Sequence, residues 1–404
     1  MRKLAFVILV SCLLATLLFA GKENVLPVKA SPDIYQGNLV LTGNNVTTIE
    51  GRFDINGSIS VEENATLILR NAIVNFTQVR DYQFNMTFYN PTNGNPRLIA
   101  ENTTLATAYS FYVRFHGNSS CRADRLEVWP PYATGYWWRM YDSSVVSISN
   151  SRVYAVTAYA DSIFEAFNST MRYMTAIGQV SANISLSYIE SLYCSYSSAV
   201  NVSNSNILQV EAKETAVATA SNSTINNLYT YQSSVVRLVN SSYISYSIYN
   251  ESKVYVCWYL NVHVIDLEGT DVPSANVTAT YPDTMIAESK PTDANGWTRL
   301  TLMEKMMNAS DSYPIGNYTV TAKYEHEGET HEGQQSVNMT ANQEITIQLP
   351  FIIPEFSTEE VPFWMRWWFW ATIAVVVIGV ASTLFLWRRK VTKAQRDLNK
   401  ETKD

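Results

Sequence analysis

Any chemistry in this chain has to come from a small set of side chains. The 404 residues include 4 histidines, 4 cysteines and 36 acids. His326 and His331 enclose Glu327 in the run H-E-G-E-T-H. A helical zinc site needs its two histidines four apart, so that both lie on one face; here they are five apart. The run is therefore expected to be an exposed hairpin with Gly328 at its tip. Asp293 and Asn295, next to Gly296, are expected to form a turn rather than ligate calcium. No metal or cofactor is expected. With Cys12 inside the apolar N-terminus, Cys121, Cys194 and Cys257 are an odd number and give no disulfide framework. Trp129, Tyr132, Tyr136, Trp137 and Trp138 cluster between Trp129 and Tyr141. Exposed rings stack on the faces of sugars, and the same rings can close off an apolar interior. These five are the candidate binding residues, with a glycan as the candidate ligand.

The elements that would position them follow from a repeat. Ser151, Ser169, Ser187, Ser205, Ser223 and Ser241 are each eighteen residues apart, preceded by Asn150, Asn168, Leu186, Asn204, Asn222 and Asn240. At the same step run four apolar columns, which start at Val146, Ile148, Val153 and Val156. A polar column (Ser147, Glu165, Asn183, Asn201, Thr219, Arg237) lies between the first two. Alternation within each unit predicts strands, and recurrence at one period predicts units stacked about 4.8 Å apart over a shared interior. Stacked amides can bond rung to rung, so Asn150, Asn168, Asn204, Asn222 and Asn240 are expected to form a structural ladder at a turn. The serines beside them are small enough to follow the bend. Arg172 and Glu190 share a column on adjacent rungs and are expected to pair, and Cys194 shares one with Ala158, Ala176 and Ala212 as a small core residue.

The repeat resembles the right-handed parallel β-helices of the pectin-lyase-like fold, over roughly residues 37–258. No apolar column recurs every six residues, as a left-handed hexapeptide helix requires. Ser58–Val61, Ala65–Val74 and Leu98–Thr103 look like opening rungs. Enzymes on such helices use clustered carboxylates to cleave polysaccharide. Here Asp161, Glu165, Glu190, Glu211, Glu214 and Glu251 place no two acids in one column on neighbouring rungs, so no catalytic residue is assigned.

After about residue 258 the period stops. The order V-x-V-x-D-x-x-G from Val262 to Gly269, then Ala275–Val277, Thr292–Gly296 and Tyr318–Ala322, resembles carboxypeptidase-regulatory-like sandwich domains. Such domains usually serve as spacers or adhesion modules. The ends set the compartment. Residues 1–30 read as a secretory leader, cleaved after Ala20 or Ala30; Cys12 lies mid-run, where a lipoprotein cysteine does not. A linker, 351–363, precedes a membrane span over 364–387, flanked by Trp364, Trp367, Trp368 and Trp370. The basic tail, 388–404, is expected in the cytoplasm and the rest outside, on the plasma membrane. Pro354-Glu355-Phe356 before the helix resembles archaeal surface-protein C-termini and implies an archaeal cell envelope.

Composition agrees with an exterior location. The chain is 47% hydrophobic and 16% charged, against roughly 25% charged in an average domain. Residues 31–363 hold 17 basic and 32 acidic residues, about −15, behind an overall −7; nucleic acid is excluded as a partner. Seventeen N-x-[ST] sequons run from Asn45 to Asn338, with Asn45, Asn64, Asn183, Asn201, Asn276 and Asn317 as glycosylation candidates. If the Asn ladder is internal, Asn168, Asn222 and Asn240 should stay unmodified. The expected protein is all-β: a parallel β-helix at 31–258, a small β-sandwich at 259–350 and one C-terminal transmembrane helix. Its expected role is non-catalytic surface structure or adhesion, with the membrane and surface glycans or envelope proteins as partners. The alternative is a cell-surface polysaccharide lyase or glycoside hydrolase on the β-helix.

Overall fold

The computed structural model describes residues 25–29, 34–90, 94–128, 135–326, 328–353 and 363–401. Val145–Ser149 pairs with Ile163–Phe167, which pairs with Ser181–Ser185, and the series continues through Ala199–Ser203, Val217–Ser221 and Val235–Val239 to Lys253–Ile265. Every pairing is parallel and displaced by eighteen residues. A second series starts at Arg152–Tyr159 and runs at the same step to Ser242–Ile248. Each strand thus pairs with the next but one, and the chain goes once round a common interior per rung, as a parallel β-helix.

The interior is the set of columns that the repeat defines. Val146, Phe164, Ala182, Val200, Ala218 and Val236 are all buried, and so are Ile148, Ala166, Ile184, Val202, Ala220 and Leu238. Each large aliphatic side chain so buried contributes about 1.5–3 kcal/mol. Cys194 lies fully buried between Ala176 and Ala212, as its column requires, and Arg172 meets Glu190 at 2.9 Å. In the second series one residue per rung falls out of the pairing. Arg172 and Tyr173 both turn outward between buried Met171 and Met174. Each rung therefore has three outer faces: 145–149, 151–153 and 155–159 in the first regular rung.

The corners correct the sequence reading. Asn150, Asn168, Leu186, Asn204, Asn222 and Asn240 all have φ between 46° and 50°, the left-handed conformation that asparagine tolerates better than other side chains. This turns their amides outward. Asn168 Nδ2 donates to Asn150 Oδ1 at 2.8 Å, Asn240 Nδ2 to Asn222 Oδ1 at 2.7 Å, and Asn150 Nδ2 to Asp124 Oδ1 at 2.7 Å. The amide ladder is external: Asn150, Asn168, Asn204 and Asn222 are exposed, and Asn240 is half-buried. The internal ladder is made by the serines. Ser151, Ser169, Ser187, Ser205 and Ser223 each donate a backbone N–H to the Oγ of the serine one rung on, at 3.0–3.2 Å. Each of these hydroxyls donates in turn to the carbonyl two residues back, at 2.6–2.8 Å. A corner that would bury an unpaired N–H in every rung is satisfied by one small side chain.

Upstream the step is irregular. Val46 aligns with Thr66, Thr66 with Arg97, Arg97 with Ser120 and Ser120 with Val145. The third face is carried there by Leu39–Leu41, Ile59–Glu62, Asn85–Tyr89, Phe111–Phe115 and Tyr136–Met140. Two features of this part bear on the sequence reading. Val25–Lys29 pairs in parallel with Val46–Glu50, so the stack begins inside the segment assigned to the leader; cleavage after Ala30 would remove that strand, and cleavage after Ala20 would keep it. The C-terminal part of the aromatic cluster belongs to the stack rather than closing it off, because Tyr136–Met140 is itself a rung, paired with Phe111–Phe115 and with Arg152–Tyr159.

Lys253–Ile265 carries the chain out of the helix without a break. Its first half pairs with Val235–Val239, and the strand also pairs antiparallel with Trp297–Met307 and parallel with Gln343–Gln348. The second layer is a four-stranded antiparallel sheet in the order Ile286–Pro291, Asn276–Thr280, Asn317–His326, Glu329–Asn338. Tyr318 ties the layers: its Oη accepts the Met303 N–H at 3.0 Å and donates to the Met303 carbonyl at 2.9 Å. His326 aligns with Glu329 across a hairpin with Gly328 at φ 84°, as expected. Asp293 Oδ1 accepts the N–H groups of Asn295 and Trp297 in the expected turn.

Asp266, the acid of V-x-V-x-D-x-x-G, accepts N–H groups from Glu268, Thr270 and Ile353 at 2.8–2.9 Å. Burial pushes its carboxyl up, but these three donors outweigh it and hold it below the ordinary carboxylate range. The C-terminal helix is Phe363–Glu401. Its segment Trp370–Lys390, with a mean hydropathy of 2.1, is long and apolar enough to cross a membrane.

Candidate functional site

Strict alternation within two irregular strands builds the most distinctive surface of the stack. In Phe111–Phe115 the three apolar residues Phe111, Val113 and Phe115 are buried, which leaves Tyr112, Arg114 and the following His116 on the outside. In Tyr136–Met140, Trp138 and Met140 are buried, and Trp137, Arg139 and Tyr141 face out. Parallel register then stacks like on like: Trp137 over Tyr112, and Arg139 over Arg114.

Three columns result. The first contains Tyr82 stacked on Tyr112, with centroids 4.4 Å apart and planes at 16°, and Trp137 nearly parallel to Tyr173 at 6.3 Å. The third runs across four rungs: Tyr89 edge-on to His116 at 5.9 Å, His116 stacked on Tyr141 at 4.5 Å, and Tyr141 on Tyr159 at 5.1 Å. The arginines form the middle column. The guanidinium carbon of Arg114 lies 4.7 Å and that of Arg139 4.3 Å from the Tyr112 ring centre, within cation–π range. Arg139 Nη2 donates to Tyr112 Oη at 3.1 Å. Burial holds the His116 imidazole below its ordinary value, against the pull of Asp142, and Arg114 pushes the same way as burial. At neutral pH His116 is therefore an uncharged ring in the stack. Burial also raises the Tyr112 phenol, and Arg139 opposes it.

This arrangement separates the five sequence candidates. Trp129 and Tyr132 lie outside the described residues. Tyr136 is on the strand beside the face, and Trp137 is in it. Trp138 is fully exchanged for core: it packs against Phe115, with centroids 5.4 Å apart, and has no exposure. It is not available to a ligand, because it sits one residue out of phase with Trp137. Nor does it close off an end, because rungs lie on both sides of it. Tyr82, Tyr112, Arg114, His116 and Tyr159 carried no periodic signal. The alternation of Phe111, Val113 and Phe115 was the trace that could have found the first of the face's strands.

Among the described residues, two of the concavities lie on the first outer face and on the sandwich. One, of about 430 Å³, follows the first outer face and is lined by Ser147, Glu165, Asn183, Asn201 and Thr219, with Asn201 Nδ2 donating to Asn183 Oδ1 at 3.2 Å. The other, of about 840 Å³, lies on the sandwich beside Trp297, Arg299 and Glu344. Trp297 stacks on His263 at 4.3 Å, and His263 Nε2 is 2.7 Å from Asp271. Among the seventeen sequon asparagines none is buried; Asn45, Asn64, Asn183, Asn201, Asn276 and Asn317 are all exposed. Because the amide ladder is external, its geometry gives no reason for Asn168 and Asn222 to escape modification.

Fold and site thus define an all-β chain with a long parallel stack, a ring-and-arginine face and one helix of membrane-spanning length. No protein-family model matches the sequence, and no curated protein matches it.

Proposed function

We propose that this chain is a membrane-tethered surface protein whose parallel stack presents a non-catalytic adhesive face to glycans or other envelope components. The observation that carries this reading is the pair of ring columns on the third face, one continuous over four rungs and the other made of Tyr82 on Tyr112 and Trp137 beside Tyr173. Rings stacked on one another at rung spacing present a row of edges and hydroxyls, with Trp137 beside them, along which a linear polymer can make repeated contacts. The accessible sequons suit a glycosylated exterior. The basic residues after Trp387 favour a cytoplasmic tail and an external N-terminal part. A pectin-lyase-like stack followed by a carboxypeptidase-regulatory-like spacer and an archaeal-type anchor is a display arrangement, and the resemblance adds to the reading in that sense.

The test uses the full-length chain in lipid vesicles, presented to polysaccharide-coated surfaces. Vesicle capture is expected to fall on Trp137→Ala and Tyr141→Ala, with no polysaccharide consumed. Release of oligosaccharides, abolished by Glu165→Gln, would overturn the proposal in favour of an enzyme.

A further inference from the structure

The arginine column between the two ring columns is built at a cost. Arg114 and Arg139 are direct partners on neighbouring parallel strands, about 4.8 Å apart along the stack, and like charges so placed repel. Elsewhere on the stack some arginines are paired with acids, whereas among the described residues Arg80, Arg97, Arg122 and Arg237 stand singly. Arg52 pairs with Asp54, Arg70 with Glu101, Arg152 with Glu127 and Arg172 with Glu190. Among the described residues neither Arg114 nor Arg139 has an ion-pair partner, although acids outnumber bases 32 to 17 over residues 31–363. Their surroundings are rings, with Tyr112 and Trp137 on one side and His116 and Tyr141 on the other.

We infer that Arg114 and Arg139 together form a subsite for a tetrahedral oxyanion, a sulfate or phosphate ester, on a glycan lying along the ring columns. The inference rests on the adhesive reading above and names its ligand class. A planar carboxylate is matched by the fork of a single guanidinium, whereas an ester of this kind presents three terminal oxygens and can take donors from two. Its charge removes the repulsion between the arginines, and the outer edges of the flanking rings line the path of the sugars. Single-stranded nucleic acid uses the same two contacts, but it needs a basic track along its backbone, whereas this face offers one pair of arginines, enough for a single ester.

The experiment measures retention of the full-length chain, in nonionic detergent, on dextran sulfate, phosphomannan, unsubstituted dextran, polygalacturonate and single-stranded DNA. One of the two esterified polymers is expected to bind at least about tenfold more tightly than dextran, and added salt should weaken that binding. Which of the two binds identifies the ester. The Arg114→Gln, Arg139→Gln double variant should lose that about tenfold preference while keeping the parent's melting temperature. If it does not fold, the corresponding double lysine variant replaces it and should lose the larger part of the preference, because lysine keeps charge but not the fork. Polygalacturonate or DNA bound as tightly as the esters would overturn the inference, as would unchanged binding in the double variant. Dextran bound as tightly as the esters, and released by Trp137→Ala, overturns the oxyanion subsite and leaves the adhesive reading standing. Failure to hold any polymer overturns both.

Discussion

The two halves of the stack solve the same packing problem under different rules. From Val145 to Val239 every rung advances by eighteen residues, and its outer surface mixes Ser, Thr and Asn with scattered apolar residues and a smaller ring group in which Lys213 lies over Tyr193 and Tyr231. From Val46 to Ser120 the step lengthens and changes each time, and there the Tyr, Trp, His and Arg columns start, continuing to Tyr159 and Tyr173 in the regular half. A constant step fixes every corner, so the inner serine and the outer asparagine recur. A variable step frees the corners to bulge into excursions, such as the one that lays Tyr82 on Tyr112. Regularity here serves the interior, and the most varied outer surface sits where regularity is relaxed.

The strongest way to break this contrast is at the junction of the two halves. Trp138 fills the interior between Phe115 and the first regular rung and is fully buried. Trp138→Ala is expected to cost about 4 kcal/mol, the range for truncating a buried aromatic, read as a lower denaturant midpoint. A loss below about 1 kcal/mol would mean that the irregular rungs do not depend on this ring, and the junction would have to be redrawn.

In the regular half the corresponding element is the serine ladder. Ser187→Ala removes the Oγ that accepts the Ser169 N–H at 3.1 Å and donates to the Ser185 carbonyl at 2.7 Å. A buried N–H without a partner costs about 1–3 kcal/mol, so a loss near 2 kcal/mol is expected. Hydrogen exchange at Ser169 should quicken more than exchange at Ser205. Equal change at both would deny that the ladder runs in one direction.

At the seam, Asp124 begins the external amide ladder. Hydrogen bonds from Asn150 and Ser149, helped by Arg125, hold its carboxyl below the ordinary range against a small opposing effect of burial. A carboxyl lowered in the folded state contributes stability that is present above its unfolded value, near pH 4, and is lost as pH falls through its folded value. The melting temperature of Asp124→Ala should therefore lie below the parent's at pH 7, and the gap should close on acidification below about pH 3. A gap that persists there would assign the effect to packing.

How much of this could be read in the sequence depended on the step. The columns from Val146, Ile148, Val153 and Val156 were legible because eighteen residues return each side chain to the same place, and the Arg172–Glu190 pair followed from that alone. The division of labour at the corner was only half legible. Asn and Ser recur side by side, and a period does not say which one turns inward; backbone conformation decides, because the left-handed residue points its side chain away from the bend. The third face was not legible. Its residues lie on rungs of unequal length, so no column appears until pairing aligns Arg139 with Arg114. Trp137 and Trp138 looked equivalent as a dipeptide, and strand alternation puts one in the surface and the other in the core.

The smallest expected effect is the sharpest test of the regular half. Leu186 is the exception in the asparagine column: half exposed, at 50%, with φ 50°. Its neighbours Asn168 and Asn204 hold the same conformation with a side chain that tolerates it. A leucine in the left-handed region carries a local penalty of roughly 1–2 kcal/mol, and its exposed side chain recovers little by burial. Leu186→Asn should relieve part of that strain and supply an amide to the external ladder, for a gain of about 0.5–1 kcal/mol. Leu186→Gly would relieve the strain without the amide, so the difference between the two variants isolates the contribution of the ladder. A loss of stability in both would mean that the leucine is held by a contact on that outer edge, and that the regular half, too, presents a face.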